Sequence, residues 1–409
     1  MTLTASRALG LWRDAVFYFW ITWSAIFIGA GGLGLAGSAA FMGLLWVPML
    51  IWPIWEDTRR SPGAPILAAL AIGWICLSWI WSPYDRPDQL IKLGLLTPLF
   101  VLAAYGFARL SDPVRARYGR YALIVFGLCA IYLLIEALFG IPIATQYKIW
   151  VEGVDIGREW ARAFAERMIS RGASAFILVA GPMAIYAWLN GLRPVAVLLG
   201  AAALAGAAAF GVEANLVALA AGSAAAAAAF VRPGASLRAL CLGLAVYVVF
   251  APVLTGLFIL LVPDGLAAML PMSWEMRLLI WSETLARLSE APFFGHGLDA
   301  SRSMSRPGEL RGQAFDLLPL HPHNAGLHIW LEAGAVGAGL CAAALAGTGI
   351  ALGRAGLAPP VAAGLAFAGT AWAMLVILGY GLWQEWHHGA LALALGCAFF
   401  SRGDGAKPA

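Results

Sequence analysis

Apolar residues fill long, uninterrupted stretches of this chain of 409 residues, and short polar segments separate them. A helix of roughly 18 apolar residues or more is long enough to cross about 30 Å of hydrocarbon. Helices satisfy their own backbone hydrogen bonds in lipid. The pattern therefore predicts an all-α fold, a polytopic membrane bundle of about twelve transmembrane helices. The predicted spans lie near 15–35, 38–55, 64–82, 89–108, 120–140, 172–190, 193–211, 213–231, 238–262, 324–352, 359–380 and 382–400.

Two polar segments between the predicted spans are much longer than the others, 141–171 and 263–322. Loops of this length are usually functional. They divide the chain into a bundle of nine spans at 1–262, which includes the segment 141–171, a large loop at 263–322, and a part at 323–409 with the last three spans and a short tail.

The large loop contains an apolar stripe at helical spacing that includes Trp281. This spacing predicts a helix near 273–290, which would lie on the bilayer surface or pack on the bundle. Arg277 lies at the edge of the stripe, one turn before Trp281.

Positive charge is concentrated at one end of the predicted bundle. With an even number of spans, both termini lie on one side, and most arginines of the short loops lie there too. The positive-inside rule then places both termini in the cytoplasm and the two long segments outside. The residues on the cytoplasmic side are Arg7, Arg13, Arg59, Arg60, Arg109, Arg115, Arg117, Arg120, Arg193, Arg232, Arg238, Arg354, Arg402 and Lys407.

Composition narrows the class of protein. The chain is 61% hydrophobic and 12% charged, which excludes an ordinary soluble domain. Its net charge of +4 is too small to indicate a nucleic-acid partner. The five cysteines lie within apolar runs and are interpreted as small buried hydrophobic residues, without a disulfide or metal site.

The segment His321-Pro322-His323-Asn324 stands where the large loop enters the tenth span. Asn324 is a favoured N-cap, so the positive end of the helix would lie here and favour an anion such as a phosphate. It would also disfavour protonation of a nearby imidazole. A neutral His323 beside a bound diphosphate is a competent general base for a hydroxyl. The alternative is that His323 and Asn324 only cap a helix at a wet interface.

Other polar groups near this junction have competing interpretations. A His-x-His pair with His296 or His328 would fit a metal site, but no cysteine or close carboxylate completes a ligand set, so neither metal nor cofactor is predicted. Glu332 is four residues after His328 and is expected to pair within the bundle. It lies about 180° around the helix from His323 and is not expected to orient it.

Arginines of the two long segments are candidates for binding phosphate oxygens, because guanidinium groups bind them bidentately. Arg162 and Arg171 precede the sixth span, and Arg277 and Arg287 lie on the predicted loop helix. For most of these arginines, surface pairs with neighbouring acidic residues are the simpler explanation.

The stretch His321-Pro322-His323-Asn324-x-x-Leu327-x-Ile329-Trp330-Leu331-Glu332-x-Gly334-x-x-Gly337 resembles the signature of the O-antigen ligase and O-antigen polymerase superfamily. Upstream, Arg277-x-x-x-Trp281 followed by Pro292-x-x-Gly295-x-Gly297 resembles the large periplasmic loop of the same family. The resemblance covers roughly 270–340, and elsewhere it is limited to topology.

The resemblance implies an inverting, metal-independent glycosyltransferase of the bacterial inner membrane, active on the periplasmic side. Its donor would be a glycan on undecaprenyl diphosphate. Its acceptor would be a sugar of the lipid A–core in a ligase, or another lipid-linked glycan in a polymerase. His323 matches the essential histidine of the family, and Arg277 matches the loop arginine that contacts the donor diphosphate. His321, Asn324 and Trp281 would support them.

One family element is missing. The family often has a Ser-Arg-Gly-like step near the start of the eighth span, where this chain reads Gly211-Val212-Glu213-Ala214-Asn215. Arg171, within Ser170-Arg171-Gly172, or Arg162 is expected to supply the charge instead.

The resulting hypothesis is a lipopolysaccharide-building transferase, with the ligase placed before the polymerase. Two rivals remain: a transporter of lipid-linked glycans, and a non-catalytic partner in polysaccharide assembly. A transporter would need a polar path through the bilayer, whereas the polar residues here concentrate on one side.

Overall fold

A computed structural model describes residues 3–154 and 157–402, and it describes side chains from residue 8 onward except that of Asp264. Within these ranges, the fold is a bundle of α-helices with one small β-hairpin. Short 3₁₀ turns at Ser78–Trp81, Ala300–Ser303 and Phe399–Ser401 accompany them. The helices are α1 (Leu3–Gly29), α2 (Leu35–Arg60), α3 (Gly63–Leu77), α4 (Asp88–Ala108), α5 (Asp112–Phe139), α6 (Pro142–Trp150), α7 (Arg158–Leu189), α8 (Arg193–Ala209), α9 (Glu213–Val231), α10 (Pro233–Leu261), α11 (Asp264–Ala267), α12 (Met272–Leu288), α13 (Ala325–Arg354), α14 (Pro359–Leu378) and α15 (Glu385–Ala398).

Nine helical segments in the described ranges are long and apolar enough to cross a membrane. This agrees with the predicted all-α membrane bundle. Helices α1, α8 and α15 coincide with the three remaining predicted spans but are not among the nine. Helix α8 has 17 residues and α15 has 14, so each is shorter than a usual span. The count of twelve spans stays a prediction.

The segment 141–171 differs from the loop that the sequence suggests. Pro142 occupies the first turn of α6, where its missing N–H costs nothing. Helix α7 then begins at Arg158 and runs for 32 residues without interruption. In sequence, the first half of α7 is rich in charged residues. In the structure it nevertheless has a buried face, formed by Ala161, Ala165 and Ile169 at helical spacing.

In the large loop, α12 occupies Met272–Leu288, where the apolar stripe predicts a helix near 273–290. The hairpin of β1 (Arg306–Leu310) and β2 (Gln313–Leu317) follows, which the sequence reading did not include. Arg311 and Gly312 form its two-residue turn, and both have a positive φ, as a twisted hairpin requires. Arg306 pairs with Glu283 and fastens the hairpin to α12.

Helices α7 and α14 form the centre of the bundle, since 72% of the most apolar 18-residue segment of each is buried.

Glycines bring neighbouring helices into close contact, as is common in membranes, where the hydrophobic effect does not drive helix association. A Cβ on Gly181 of α7 would lie 2.2 Å from the ring of Phe367 on α14, and one on Gly222 of α9 would lie 3.1 Å from the Phe367 carbonyl oxygen.

Helix α13 is broken at Gly334, whose φ of 64° and ψ of −167° are accessible only to glycine. The loop at 292–297 repairs the broken backbone: the N–H groups of His296 and Gly297 donate to Leu331 and Glu332, at 2.8 and 2.9 Å. In return, Pro292 and Phe293 accept from the next turn of α13. The Pro292-x-x-Gly295-x-Gly297 element thus supplies partners for backbone groups that the break in α13 leaves without intrahelical bonds.

Candidate active site

His323 lies just before α13 in a strained backbone conformation. Its φ is 53°, a region that costs a non-glycine residue about 1–3 kcal/mol and often marks a functional site. The Trp281 indole N–H donates to the Pro322 carbonyl oxygen at 2.9 Å. The His323 backbone N–H donates to His321 Nδ1 at 3.2 Å. These two contacts hold the strained loop in place.

The imidazole of His323 is oriented by the loop that follows α14. Its Nδ1 lies 2.5 Å from the Gly379 carbonyl oxygen. A carbonyl oxygen only accepts, so Nδ1 carries the proton and Nε2 has a free lone pair. Burial lowers the pKa of His323 to about 4, together with the charge of Arg277 and against the Gly379 hydrogen bond. The ring is therefore neutral at neutral pH, as a general base must be.

Asn324 is the N-cap of α13, as its sequence position predicts. Its side-chain oxygen accepts from the Leu327 backbone N–H at 3.0 Å, and from the Tyr247 hydroxyl at 2.7 Å. Its amide group donates to Thr255 Oγ1 at 3.4 Å. Two residues of α10 thus fix the start of α13, and with it the position of His323.

Arg277 lies on the same helix as Trp281, and its guanidinium carbon stands 5.0 Å from the centre of the Trp274 ring. Its Nη1 is buried and makes no hydrogen bond within the described residues. Burial lowers the pKa of Arg277, and the charge of Glu213 opposes that effect. The charge of Arg277 is also among the causes that lower the pKa of His323.

Arg287, on the same helix, has the alternative role that the sequence left open. It pairs with Glu283 at 3.0 Å and with Glu290 at 3.2 Å. The guanidinium of Arg287 is therefore paired within the protein, whereas Nη1 of Arg277 has no partner in the described residues and can bind a ligand.

A second half of the site comes from α7, α9 and the loop after α14. Ser174 Oγ donates to Asn215 Oδ1 at 2.7 Å and lies 2.9 Å from the Tyr380 hydroxyl. Arg171 is one turn before Ser174 on α7. Burial raises the pKa of Tyr380, and the charges of Arg171 and the Ser174 bond act in the opposite direction. Tyr380 directly follows Gly379, so this chain of contacts leads back to His323.

Two further donors of this half are buried and unpaired in the part of the chain that the structure describes. They are Arg171 Nε and Asn215 Nδ2. Together with Arg277 Nη1 they form a set that we call the donor cluster. A buried polar group without a partner costs about 1–3 kcal/mol, so each one needs an explanation.

Arg162, the other arginine expected to replace the missing family residue, lies elsewhere. Its side chain is exposed, and it stands beside Gly140 at the end of α5. It is nine residues before Arg171, about 13 Å along the same helix. The charge of Arg171 acts on Tyr380, in the loop that holds His323, whereas Arg162 lies beside Gly140.

Glu332 forms a separate polar group, which we call the carboxylate cluster. It is completely buried, and His328 Nε2 lies 3.2 Å from it, so the expected pairing within the bundle is confirmed. Its carboxylate also accepts from the Asp299 and Ser301 backbone N–H groups, from Ser301 Oγ and from Trp383 Nε1, at 2.6 to 3.3 Å.

Histidines concentrate around the loop 379–384, to which sequence reasoning assigned no role. His387 and His388 donate to the carbonyl oxygens of Gly381 and Leu382, at 2.9 and 2.6 Å. His328 Nδ1 accepts from the Leu382 backbone N–H at 3.3 Å. No group of three or more His, Cys, Asp or Glu side chains in the described ranges is arranged to hold a metal ion.

Sequence reasoning missed the contributions of Asn215, Ser174, Tyr380 and the Gly379 carbonyl. Asn215 carried a weak signal, since a polar amide inside an apolar run is expensive and tends to be functional. The other three give no local signal, because a backbone carbonyl and isolated hydroxyls occur throughout such chains.

A family model described as O-antigen ligase matches residues 168–342. No curated protein and no solved structure shows a significant match. The matched segment begins three residues before Arg171 and contains Asn215, Arg277 and His323, whereas the loop 379–384 lies outside it. The match over residues 168–342 supports the O-antigen ligase and polymerase superfamily, which the His-Pro-His-Asn motif predicts.

Proposed function

We propose that the protein is an inverting glycosyltransferase that moves a glycan from a lipid diphosphate to a sugar hydroxyl. The observation that supports this most directly is the combination of one neutral imidazole with a free Nε2 and three buried donors, Arg277 Nη1, Arg171 Nε and Asn215 Nδ2, that have no partner within the described residues. The family match supports a transferase of the ligase or polymerase type.

The donor cluster fits a diphosphate. Guanidinium groups keep their charge and bind phosphate oxygens in forked geometry. Arg277 and Arg171 would each take phosphate oxygens, and the Asn215 amide would donate one more hydrogen bond. The site lies where α13 begins, so a lipid-anchored substrate can place its diphosphate there while its chain stays in the bilayer. Undecaprenyl diphosphate is the carrier that the family implies.

The reaction is a single displacement. The acceptor oxygen attacks the anomeric carbon, and the bond from that carbon to the diphosphate oxygen breaks. The electron pair of this bond goes to the diphosphate, whose developing charge Arg277 and Arg171 stabilise. The hydroxyl proton moves to His323 Nε2 as the new glycosidic bond forms. One displacement inverts the anomeric configuration and needs no glycosyl-enzyme intermediate.

His323 must gain basicity when the donor binds. A pKa of about 4 makes the His323 imidazole a weak base. A diphosphate beside it favours the protonated imidazole and raises its pKa towards the working pH. The base therefore becomes effective only when its substrate is present.

We place this site on the periplasmic side of the bacterial inner membrane, with both termini in the cytoplasm. The support is the charge pattern of the short loops. As acceptor we propose a sugar of the lipid A–core, which makes the protein an O-antigen ligase. The alternative acceptor, a second lipid-linked glycan, would make it a polymerase.

Reconstitution in liposomes tests the proposal. The purified protein is supplied with a defined undecaprenyl-diphosphate glycan and with either lipid A–core or a second lipid-linked glycan. We expect transfer to lipid A–core, and transfer to the second glycan alone would identify a polymerase. Movement of intact donor across the bilayer without transfer would identify a transporter and contradict the proposal. Activity that persists in a strong chelator would support the metal-independent mechanism.

A further inference from the structure

A carboxylate lies beside the donor cluster. This is unexpected in an anion-binding site, because a carboxylate repels a bound anion. Glu213 begins α9, two residues before Asn215, and is exposed. Ser273 Oγ lies 3.3 and 3.5 Å from its two carboxylate oxygens. Ser273 is four residues before Arg277 on α12, so both face the same side of that helix.

This carboxylate does not serve as a simple partner of Arg277. The Arg277 Nη1 atom stays without a hydrogen bond in the described structure, although the charge of Glu213 reaches the guanidinium. Glu213 is thus close enough to act on a bound diphosphate, while leaving the arginine free to hold it.

The substrate and the product of the proposed reaction differ in charge. In the donor, both phosphates of the diphosphate are esterified, and each carries one negative charge. After transfer, the terminal phosphate of the carrier has lost its sugar and can ionise again, with a pKa of about 6 by comparison with phosphate monoesters. At neutral pH the product lipid diphosphate is therefore more negative than the donor by up to one charge.

We propose that Glu213 determines how strongly the site discriminates between donor and product, and that it promotes release of the lipid diphosphate. This inference rests on the proposed function. The carboxylate disfavours both anions, and it disfavours the product more because Coulomb repulsion grows with charge. Arg277 and Arg171 then bind the diphosphate during the reaction, and Glu213 prevents the more charged product from remaining there.

The test compares the wild-type protein with Glu213→Gln and with Glu290→Gln as the matched control. Glu290 is an exposed acid of the large loop that pairs with Arg287, a residue outside the donor cluster. Three quantities are measured in liposomes at low salt: KM for the donor glycan, Ki for undecaprenyl diphosphate, and the rate of a single turnover.

In Glu213→Gln we expect the Ki of undecaprenyl diphosphate to fall about fivefold more than the KM of the donor glycan. The reason is that the product carries one more negative charge than the donor, and one charge changes the affinity of a partly exposed site by roughly fivefold. Steady-state kcat should fall, while the single-turnover rate stays within about twofold. The effect should shrink at high salt, and Glu290→Gln should change neither constant. A variant whose Ki and KM move by the same factor, or do not move, overturns the role of Glu213 while the transferase function stands. A wild-type protein that transfers no sugar overturns both proposals.

Discussion

The two polar clusters at this end of the bundle differ in how far their hydrogen bonds are satisfied. The carboxylate of Glu332 is completely buried and accepts from five donors. The three atoms of the donor cluster, Arg277 Nη1, Arg171 Nε and Asn215 Nδ2, are also buried, yet none of them has a partner within the described residues. Both clusters are polar groups inside an apolar protein, so polarity alone does not separate a structural role from a binding role.

This difference in hydrogen-bond satisfaction indicates which of the two clusters is expected to bind a ligand. A satisfied network stabilises the fold because removing any member leaves charges or dipoles unpaired. Unpaired donors raise the free energy of the empty protein, and an anion that pairs with them recovers that free energy on binding. The predictions below test this division, from the largest expected effect to the smallest.

Replacing His323 with alanine should lower the transfer rate by about 10²–10⁴-fold, because the base for the acceptor hydroxyl is lost. Transfer in liposomes measures this effect. The protein should remain folded, as thermal unfolding in detergent would show. His296→Gln is the control, since that side chain contacts the Arg287 carbonyl and not the site. Full activity in His323→Ala would refute the assignment of the base.

Replacing Glu332 with alanine should destabilise the protein by about 3–5 kcal/mol, because it leaves five buried donors without an acceptor. The measurement is the free energy of unfolding in detergent. Glu290→Ala removes an exposed carboxylate from the large loop, and should stay within about 0.5 kcal/mol of the wild type. If Glu332→Ala unfolds like the wild type but loses donor binding, the two clusters are not divided as we propose.

Replacing Arg277 with alanine should lower kcat/KM for the donor roughly 10- to 150-fold, which corresponds to a charged hydrogen bond of about 1.5–3 kcal/mol. Arg287→Ala is a close control, since it lies on the same helix but is paired with Glu283 and Glu290. It should affect stability more than catalysis. Equal losses of kcat/KM in both variants would show that Arg277 only holds α12 in place.

The pH dependence of transfer should reveal the protonation state of His323. Burial lowers its pKa to about 4 in the free protein. The neutral ring is the active form, so kcat/KM should be constant above this pKa and fall about tenfold per pH unit below it. In the donor complex the diphosphate raises the pKa, so the decline of kcat should begin at a higher pH. A kcat that declines at the same pH as kcat/KM would argue against a diphosphate beside His323.

Local rules recovered much of this arrangement from the sequence. Runs of apolar residues predict the helices, and the spacing around Trp281 predicts α12. Asn324 has the side chain of an N-cap, and it caps α13. The motif with His323 predicts the superfamily. Each of these depends on residues that are neighbours in the chain, or one helical turn apart.

The failures share a physical cause. The sequence of the first half of α7 predicts a loop because its arginines mask a buried face that only the packed bundle makes apparent. The hairpin depends on tertiary support for two short strands, since an isolated hairpin is marginal at best. The choice between Arg162 and Arg171 depends on which turn of α7 reaches the loop after α14.

By itself, the sequence determined that this chain forms a membrane bundle of α-helices and that His323 and Arg277 are its principal candidate residues. Those conclusions follow from hydrophobic periodicity and from a motif, which are local properties. Only the tertiary structure decided that the Gly379 carbonyl sets the tautomer of His323, and that Arg287 is paired while Arg277 is not. It also left one donor of Arg171 and one of Asn215 buried without a partner within the described residues. Hydrogen bonds and burial depend on residues that are distant in the chain, and packing alone brings them together.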